Sequence, residues 1–211
     1  MSSKLLTTSN KKMKELRAKH GLPAPIPVWG ITAGKYCPSA MECKVNFTDT
    51  NAKCFGLAGA YLWPVVRAKY EWRGEQTKMD DFVDRMVKEL RRSKSPYVRI
   101  HDIGDFYSDL YLKKWIDIMR ALPDKKFWCY TKEVRRFKAF EDIGWMPDNF
   151  HYVFSYGGKH DDLIDKDKDR FSKVVTANNE GKALAMGWTD LTEDELRITD
   201  NRIRKFYTVA H

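Results

Sequence analysis

The sequence predicts an α/β fold built on a parallel sheet. Two observations predict it: several short apolar runs typical of strands, and helical segments of about 10–15 residues between them. A helix between two strands lets the next strand start in the same direction, so this alternation is typical of βαβ units. The strands are too few for an eight-unit barrel, and their spacing does not distinguish a partial barrel from an open sheet.

The chain before the predicted sheet divides into a helix, an extended segment and a loop. A short basic helix is predicted at about residues 10–20, because Gly21 ends the run of helix formers. Three prolines between residues 23 and 27 exclude a further helix and predict an extended segment up to residue 29. The loop that follows covers roughly residues 30–56.

Two helices are predicted after this loop, at about residues 56–72 and 79–93. In the second, apolar residues recur at three- and four-residue spacings, which is the periodicity of one helix face. The residues of that face are Met79, Phe82, Val83, Met86, Val87 and Leu90.

The most regular part of the chain alternates strands with helices. Strands are predicted at 97–101, 126–131, 150–155 and, from a weaker pattern, 171–176. Helices are predicted at about 109–121 and 133–142. The apolar side of the first is predicted to consist of Leu110, Leu112, Trp115, Ile116, Ile118 and Met119. The tail from Thr192 onward has acidic residues first and basic residues later, which predicts a capped helix. We expect one α/β domain over residues 1–211.

The composition is that of a basic globular protein. Hydrophobic residues make up 43% of the 211, and the net charge is +9 with a pI of about 9.3. The sequence shows neither an apolar run of membrane-helix length nor a secretory signal, so we expect a cytoplasmic protein with no membrane partner. Basic charge and an aromatic share of 13% suit a polyanion, because phosphate attraction and base stacking both bind nucleic acid. Nucleic acid is the expected partner.

The most specific feature is a group of three cysteines, Cys37, Cys43 and Cys54, in the loop ahead of the sheet. In a chain without a secretion signal, clustered thiols indicate a metal or iron–sulfur site more than disulfides. Three thiolates would leave one iron of a [4Fe–4S] cluster without a protein ligand, and the spacing is not that of a zinc ribbon. Iron, zinc and a simple structural role all remain open. Cys129, within an apolar run, is interpreted as a core residue.

Three predicted strands end in polar or glycine-rich sequence, and the carboxyl ends of parallel strands are where such folds bind ligands. The candidate catalytic residues are His101, Asp102, Asp105 and Asp161, with Asp162 as an alternative to Asp161. The candidate cofactor-binding residues are Gly104, Asp105, Thr131, Lys132 and Ser155. Carboxylates in such positions can bind an amine, ligate a metal or act as base or nucleophile. The simpler interpretation is that the aspartates cap the following helix by accepting hydrogen bonds from its first amides, and that His101 is a core residue.

The order of these motifs resembles a poorly characterised phage family called gene product eighty-eight. The resemblance is carried by residues 30–38 with the three cysteines, by residues 99–106 and by residues 127–132, and it covers most of residues 28–160. That family in turn resembles shortened radical S-adenosylmethionine proteins. The resemblance therefore implies a parallel-stranded partial (β/α) barrel with a cysteine-bearing N-terminal loop, in the host cytoplasm if the chain is phage-encoded.

The same resemblance implies a cofactor site. Cys37, Cys43 and Cys54 would hold a [4Fe–4S] cluster whose open iron binds S-adenosylmethionine, and the methionine amino group would lie at Gly104 and Asp105. The cysteine spacing differs from that of the radical enzymes, so cluster binding without radical chemistry and zinc in place of iron both stay open.

A second stretch, Asp102 to Phe106, is similar to a motif of tRNA-guanine transglycosylases. This likeness implies that Asp102 contacts a base or acts in acid–base catalysis, with Asp161 or Asp162 as nucleophile. The third interpretation is a non-enzymatic nucleic-acid-binding protein whose cysteines hold structural zinc.

Overall fold

The computed structural model describes residues 4–42, 54–175, 177–192 and 194–209. Its strands are β1 (Val28–Trp29), β2 (Tyr97–Ile100), β3 (Lys126–Thr131), β4 (Phe150–Ser155), β5 (Phe171–Val175), β6 (Thr189–Asp190) and β7 (Lys205–Val209). Its α-helices are α1 (Lys11–Lys19), α2 (Pro64–Gln76), α3 (Phe82–Arg91), α4 (Asp109–Arg120), α5 (Val134–Asp142) and α6 (Glu180–Ala185). Short 3₁₀ turns lie at Phe55–Leu57, Gly59–Leu62, Asp161–Leu163, Ala177–Asn179 and Glu195–Thr199.

All seven strands form one parallel sheet, in the order β1-β2-β3-β4-β5-β7-β6. Within the described residues the two edge strands, β1 and β6, do not pair with each other, so the sheet is not a closed barrel. The α/β class and the parallel sheet are confirmed. Because every strand runs the same way, the segments that follow β2, β3 and β4 emerge at one edge, called here the carboxyl edge.

The two faces of the sheet have different cores, since successive side chains of a strand point to opposite faces. On the helix-covered face, Val98, Ile100 and Phe127 pack with residues of α3, α4 and α5. On the opposite face, Trp128 and Val153 pack with residues of α1 and of the segment after β6. This opposite face also contains buried charges, which are described below.

Many of the predicted elements are confirmed. Helix α1 begins after Asn10, whose side chain accepts a hydrogen bond from the amide of Met13 (3.2 Å), and the chain leaves it through Gly21 at φ +58°. Helices α4 and α5 and strands β2 to β5 lie at the positions that the periodicity predicted. Residue 176, the last residue of the fourth predicted strand, lies outside the described residues.

The predicted helix at 56–72 is wrong in its bounds. Residues 55–62 form two 3₁₀ turns, and α2 begins only at Pro64. Gly59 adopts φ +53°, which a right-handed helix does not contain, and proline is favoured in a first helical turn, where its missing N–H costs nothing.

Two residues assigned to apolar helix faces point to solvent instead. Met79 is 47% exposed and precedes α3, which begins at Phe82. Leu110 is 65% exposed, because a position two residues before Leu112 lies about 200° around the helix from it.

The predicted helix of the tail is also wrong, since the chain there forms a 3₁₀ turn and then β7. Two of the acidic residues that suggested a cap instead pair with α1 and the residue that follows it: Asp194 lies 2.9 Å from the His20 ring, and Glu195 lies 2.8 Å from Lys12 Nζ. Strand β7 is inserted between β5 and β6. Among the helices that the described residues form, none combines the length and the apolarity needed to span a membrane.

Candidate functional site

A loop segment that contains Cys37 lies across the carboxyl edge. We call residues 36–42 the Cys37 segment. The carbonyl oxygen of Tyr36 accepts a hydrogen bond from the amide of Asp105, which follows β2 (2.9 Å). The amide of Ser39 donates to Oε1 of Glu133, which follows β3 (2.9 Å).

The same segment is also bound to the end of β4. The carbonyl of Ser39 accepts from the amide of Lys159 (2.8 Å), and the amide of Met41 donates to the carbonyl of Gly157 (3.0 Å). Ala40 and Gly158 form an antiparallel bridge. The Cys37 segment is therefore fixed to the segments that follow three adjacent strands.

Two of the three candidate metal ligands fall within the described residues. Cys37 and Cys54 are both partly exposed, and Cys54 packs against Ala33, Tyr70 and Ile103. Cys43 lies outside the described residues. In the described part of the chain, no three His, Cys, Asp or Glu side chains form a group that could hold a metal ion.

Cys129 is a core residue, as expected. Its side chain is 1% exposed on β3 within the helix-covered core, and burial raises the pKa of its thiol well above the ordinary value. The group therefore stays a neutral thiol, which is a poor metal ligand.

Asp102 is held in place by two tyrosines. Its Oδ2 accepts hydrogen bonds from Tyr70 Oη (2.7 Å) and Tyr61 Oη (3.1 Å), while its Oδ1 accepts from the amide of Ile103 (2.9 Å). A methyl group at Gly30 would lie 2.0 Å from Asp102 Oδ1, so only glycine leaves room for this carboxylate. Asp102 is partly exposed at the carboxyl edge, next to the packing site of Cys54.

Asp105 faces a different environment. Its carboxylate accepts from the amide of Phe106 (2.8 Å), from Thr131 Oγ1 (2.7 Å) and from the amide of Lys132 (2.8 Å). Burial, together with the nearby Glu133 carboxylate, raises the pKa of Asp105 to about 7. The side chain is 6% exposed and ties the end of β2 to the end of β3.

Gly104 makes the turn between the two aspartates possible. It adopts φ +83°, and a methyl group there would lie 2.6 Å from the carbonyl oxygen of Ile31. Glycine is therefore required at this position both by its backbone angle and by the close approach of the loop.

His101 lies apart from the other candidates. Its ring is 4% exposed on the helix-covered side, edge-on to Phe106, with Nε2 3.3 Å from the Tyr111 hydroxyl. Burial lowers its pKa to about 3, so the imidazole is neutral. The structure favours the interpretation of His101 as a core residue, although its φ of +57° is unusual for a residue other than glycine.

The remaining candidates meet near the end of β4, which Lys132 reaches from the end of β3. Lys132 Nζ donates to the carbonyl and the hydroxyl of Ser155 (3.2 Å each) and to the carbonyl of Tyr156. Asp161 accepts from the amides of Gly157 (2.7 Å) and Gly158 (3.0 Å), so both of its oxygens stabilise its own loop. Asp162 is exposed.

Four site residues were not identified from the sequence: Tyr61, Tyr70, Arg73 and Glu133. Arg73 is 0% exposed, and its guanidinium lies 5.5 Å from the centre of the Trp29 ring and 5.1 Å from that of Tyr70. Within the part of the chain that the structure describes, none of its three nitrogens makes a hydrogen bond, and burial lowers its pKa. The only sequence signal was the spacing of Tyr70 and Arg73, which places them on one side of a helix.

Comparison with known proteins gives the family. The family model described as Gene product 88 matches residues 4–210. The chain belongs to the gene product 88 family. The Gene 88 protein of Mycobacterium phage L5 is 40% identical over 111 residues, which is 49% of this chain and 46% of that protein. The Gene 88 protein of Mycobacterium phage D29 is 35% identical over 111 residues, with the same shares. The matched region thus spans about half the length of these curated relatives, and no solved structure matches the chain.

Proposed function

We propose that this member of the phage family is a metal- or Fe–S-cluster-binding enzyme, radical S-adenosylmethionine-like, that acts on nucleic acid or a nucleotide in the host cytoplasm. One observation supports this proposal most directly: the Cys37 segment is hydrogen-bonded to the segments that follow β2, β3 and β4. Cys37, one of the candidate metal ligands, therefore lies in a segment at the edge where parallel α/β proteins bind ligands.

The described thiols suit such a group in their chemistry. Cys37 and Cys54 are partly exposed, and Cys54 packs on Ala33, which precedes Cys37 in the same loop. Thiolates are the preferred ligands of Fe–S clusters and of structural zinc. In the proposal Cys37, Cys43 and Cys54 hold the group. A cluster with an open iron would supply an electron to bound S-adenosylmethionine.

The surrounding residues have separate roles in this proposal. Asp102, oriented by Tyr61 and Tyr70, presents a carboxylate that can accept a proton or a hydrogen bond from a substrate N–H or O–H group. The Asp105 carboxylate already accepts three hydrogen bonds, so we assign it to positioning the ends of β2 and β3 rather than to binding an amine. Lys132 and Ser155 provide a positive charge and a hydroxyl at the next strand end.

A second candidate, a transglycosylase-like enzyme acting on a nucleobase, is favoured by the same hydrogen bonds to Asp102. It needs a nucleophilic carboxylate as well. Asp161 stabilises its own loop, so the exposed Asp162 is the better choice of the two. This reaction needs no redox cofactor, and base exchange by metal-free protein would favour it.

The test is to purify the protein without oxygen and to measure iron, sulfide and zinc per chain. We expect iron with sulfide in the wild type, and loss of the metal in Cys37→Ala, Cys43→Ala and Cys54→Ala. Cys129→Ala is the matched control and should keep the metal, because Cys129 is buried in the core. Stoichiometric zinc without turnover would favour the non-enzymatic binder. Folded wild-type protein that contains neither metal contradicts the proposal.

A further inference from the structure

The start of α2 presents apolar side chains to solvent. Leu62 is 52% exposed, Trp63 65% and Val65 83%. Large apolar side chains that are adjacent and exposed mark interaction sites more often than isolated ones do. This group begins one residue after Tyr61, whose hydroxyl donates to Asp102.

The exposure follows from how α2 packs. Val66 and Tyr70 lie one turn apart and face inward, against Ala33 and Ile103. Trp63 and Arg67 are also one turn apart, joined by the hydrogen bond from the amide of Arg67 to the carbonyl of Trp63 (2.9 Å). They therefore share a side of the helix that points away from the protein, where Arg67 is exposed as well.

The charged residues closest to Trp63 in sequence are cations, and the first acidic residue after them is the exposed Glu71. From residue 54 to residue 70 the charged residues are Arg67 and Lys69, both exposed, and the stretch contains no acidic residue. The whole chain carries a net charge of +9. An exposed indole flanked by cations has the two features of sequence-tolerant nucleic-acid binding, a surface on which a base can stack and charges for the phosphates.

We propose that Trp63 and Arg67 form a platform that binds single-stranded nucleic acid beside the carboxyl edge. A base in a duplex is already stacked on both faces, so an indole can stack only on an unpaired one. The position of Tyr61 brings the bound strand next to Asp102. The inference deepens the proposed function, on which it rests, by naming single-stranded nucleic acid as the substrate class.

The test is the affinity of the full chain for a fluorescent single strand of about 20 nucleotides, as DNA and as RNA, and for the matching duplex DNA. Trp63→Ala should weaken binding of a single strand roughly 5- to 150-fold, the effect of losing one stacked base. Trp63→Phe should retain most of the affinity, because phenylalanine also stacks. Arg67→Gln should lower the slope of log affinity against log salt by about 0.7, the value for one single-strand phosphate contact.

Trp145 provides the control. It is 37% exposed, and its ring centre lies 6.0 Å from Lys113 Nζ and 5.7 Å from the Arg120 guanidinium. It precedes β4 and so lies at the opposite edge of the sheet. Trp145→Ala should leave affinity unchanged. Equal losses in the two alanine variants, an unaffected Trp63→Ala variant, or equal binding of duplex would overturn the inference, as would self-association through Trp63 without nucleic-acid binding.

The outcomes separate this inference from the proposed function. Metal content is measured on the same preparations. If protein without metal binds single strands in a way that depends on Trp63, the platform is supported and the metal-enzyme proposal is contradicted. Metal-loaded protein whose affinity for single strands does not depend on Trp63 would support the metal enzyme and overturn the platform.

Discussion

Two buried carboxylates lie in contrasting regions of the molecule. Glu195, on the face opposite α3 to α5, is 2% exposed and lies 2.9 Å from Arg99 Nε and 2.8 Å from Lys12 Nζ. Asp105, at the carboxyl edge, is 6% exposed and accepts its hydrogen bonds from two amides and a hydroxyl. The first carboxylate is neutralised by cations, whereas the second is held by neutral donors.

The difference shows in the pKa values of the two groups. Burial alone would raise the pKa of Glu195, but the Arg99 and Lys12 cations outweigh it and lower that pKa below the ordinary 4.5. Burial and Glu133 instead raise the pKa of Asp105 to about 7. Glu195 thus remains a fixed charge of the core, while Asp105 can change its protonation near neutral pH. Groups whose pKa values are shifted toward neutral pH are typical of functional sites, and Asp105 is such a group at the carboxyl edge.

The largest loss of folding stability is expected from Glu195→Ala. The change leaves Arg99 buried without its carboxylate, which costs about 3–5 kcal/mol in comparable cases. Chemical denaturation measures the loss. Glu15→Ala is the control and should cost at most about 0.5 kcal/mol, because its pair with Lys11 (3.8 Å) is exposed. A loss below about 1 kcal/mol for Glu195→Ala would mean that Arg99 is not effectively desolvated.

A change of pH that titrates Asp105 is expected to have an intermediate effect on the free energy of unfolding. Its pKa is raised from 3.8 to about 7, so between these values the folded protein holds a proton that the unfolded chain has released. The stability that this bound proton contributes is complete below 3.8, the pKa of Asp105 in the unfolded chain. It is lost as the pH rises through about 7, the pKa of Asp105 in the folded protein. The free energy of unfolding should fall by at most about 1.4 kcal/mol per pH unit over this range.

Comparison with two variants isolates this effect. Asp105→Asn should remove the decline, since asparagine does not titrate, whereas Asp162→Asn at an exposed position should retain it. Parallel pH profiles of the wild type and Asp105→Asn would show that another group is responsible.

The smallest effect is expected from Arg73→Met. Arg73 is buried and the Arg99 side chain is only 13% exposed, but Arg73 contacts the rings of Trp29 and Tyr70 rather than a carboxylate. Methionine keeps an apolar contact with these rings and removes a charge that is costly to bury, so stability should stay within about 1 kcal/mol of the wild type. Arg99→Met should cost more, and the reverse order in thermal melts would indicate an unrecognised partner of Arg73.

Local patterns predicted the middle of the chain better than its ends. Strands β2 to β4 and helices α4 and α5 follow from short-range periodicity, and the polar strand ends mark the carboxyl edge. The bonds of Asp102 with Tyr61 and Tyr70 span 41 and 32 residues, and no periodicity encodes them. Arg99 and Glu195 are typical surface residues in a sequence, and only their pairing across 96 positions permits burial.

Strand β7 was missed for a related reason. The basic residues Arg202, Arg204 and Lys205 suggested the end of a helix, whereas Lys205–Val209 pair on both sides with β5 and β6. Two aromatic and two β-branched residues favour a strand at 206–209, but the apparent helix cap before them outweighed this signal in the prediction.

The position of β7 also bears on how the protein is made. Because β7 lies between β5 and β6 but follows both in the chain, a ribosome-bound chain that has emerged only to residue 200 leaves one edge of β5 unpaired and the β6 segment without the strand that it pairs with. Unpaired edges are the part of a sheet that other chains can join. The nascent protein is therefore exposed to wrong partners until the segment 205–209 has emerged, and a pause in translation before it would lengthen that period.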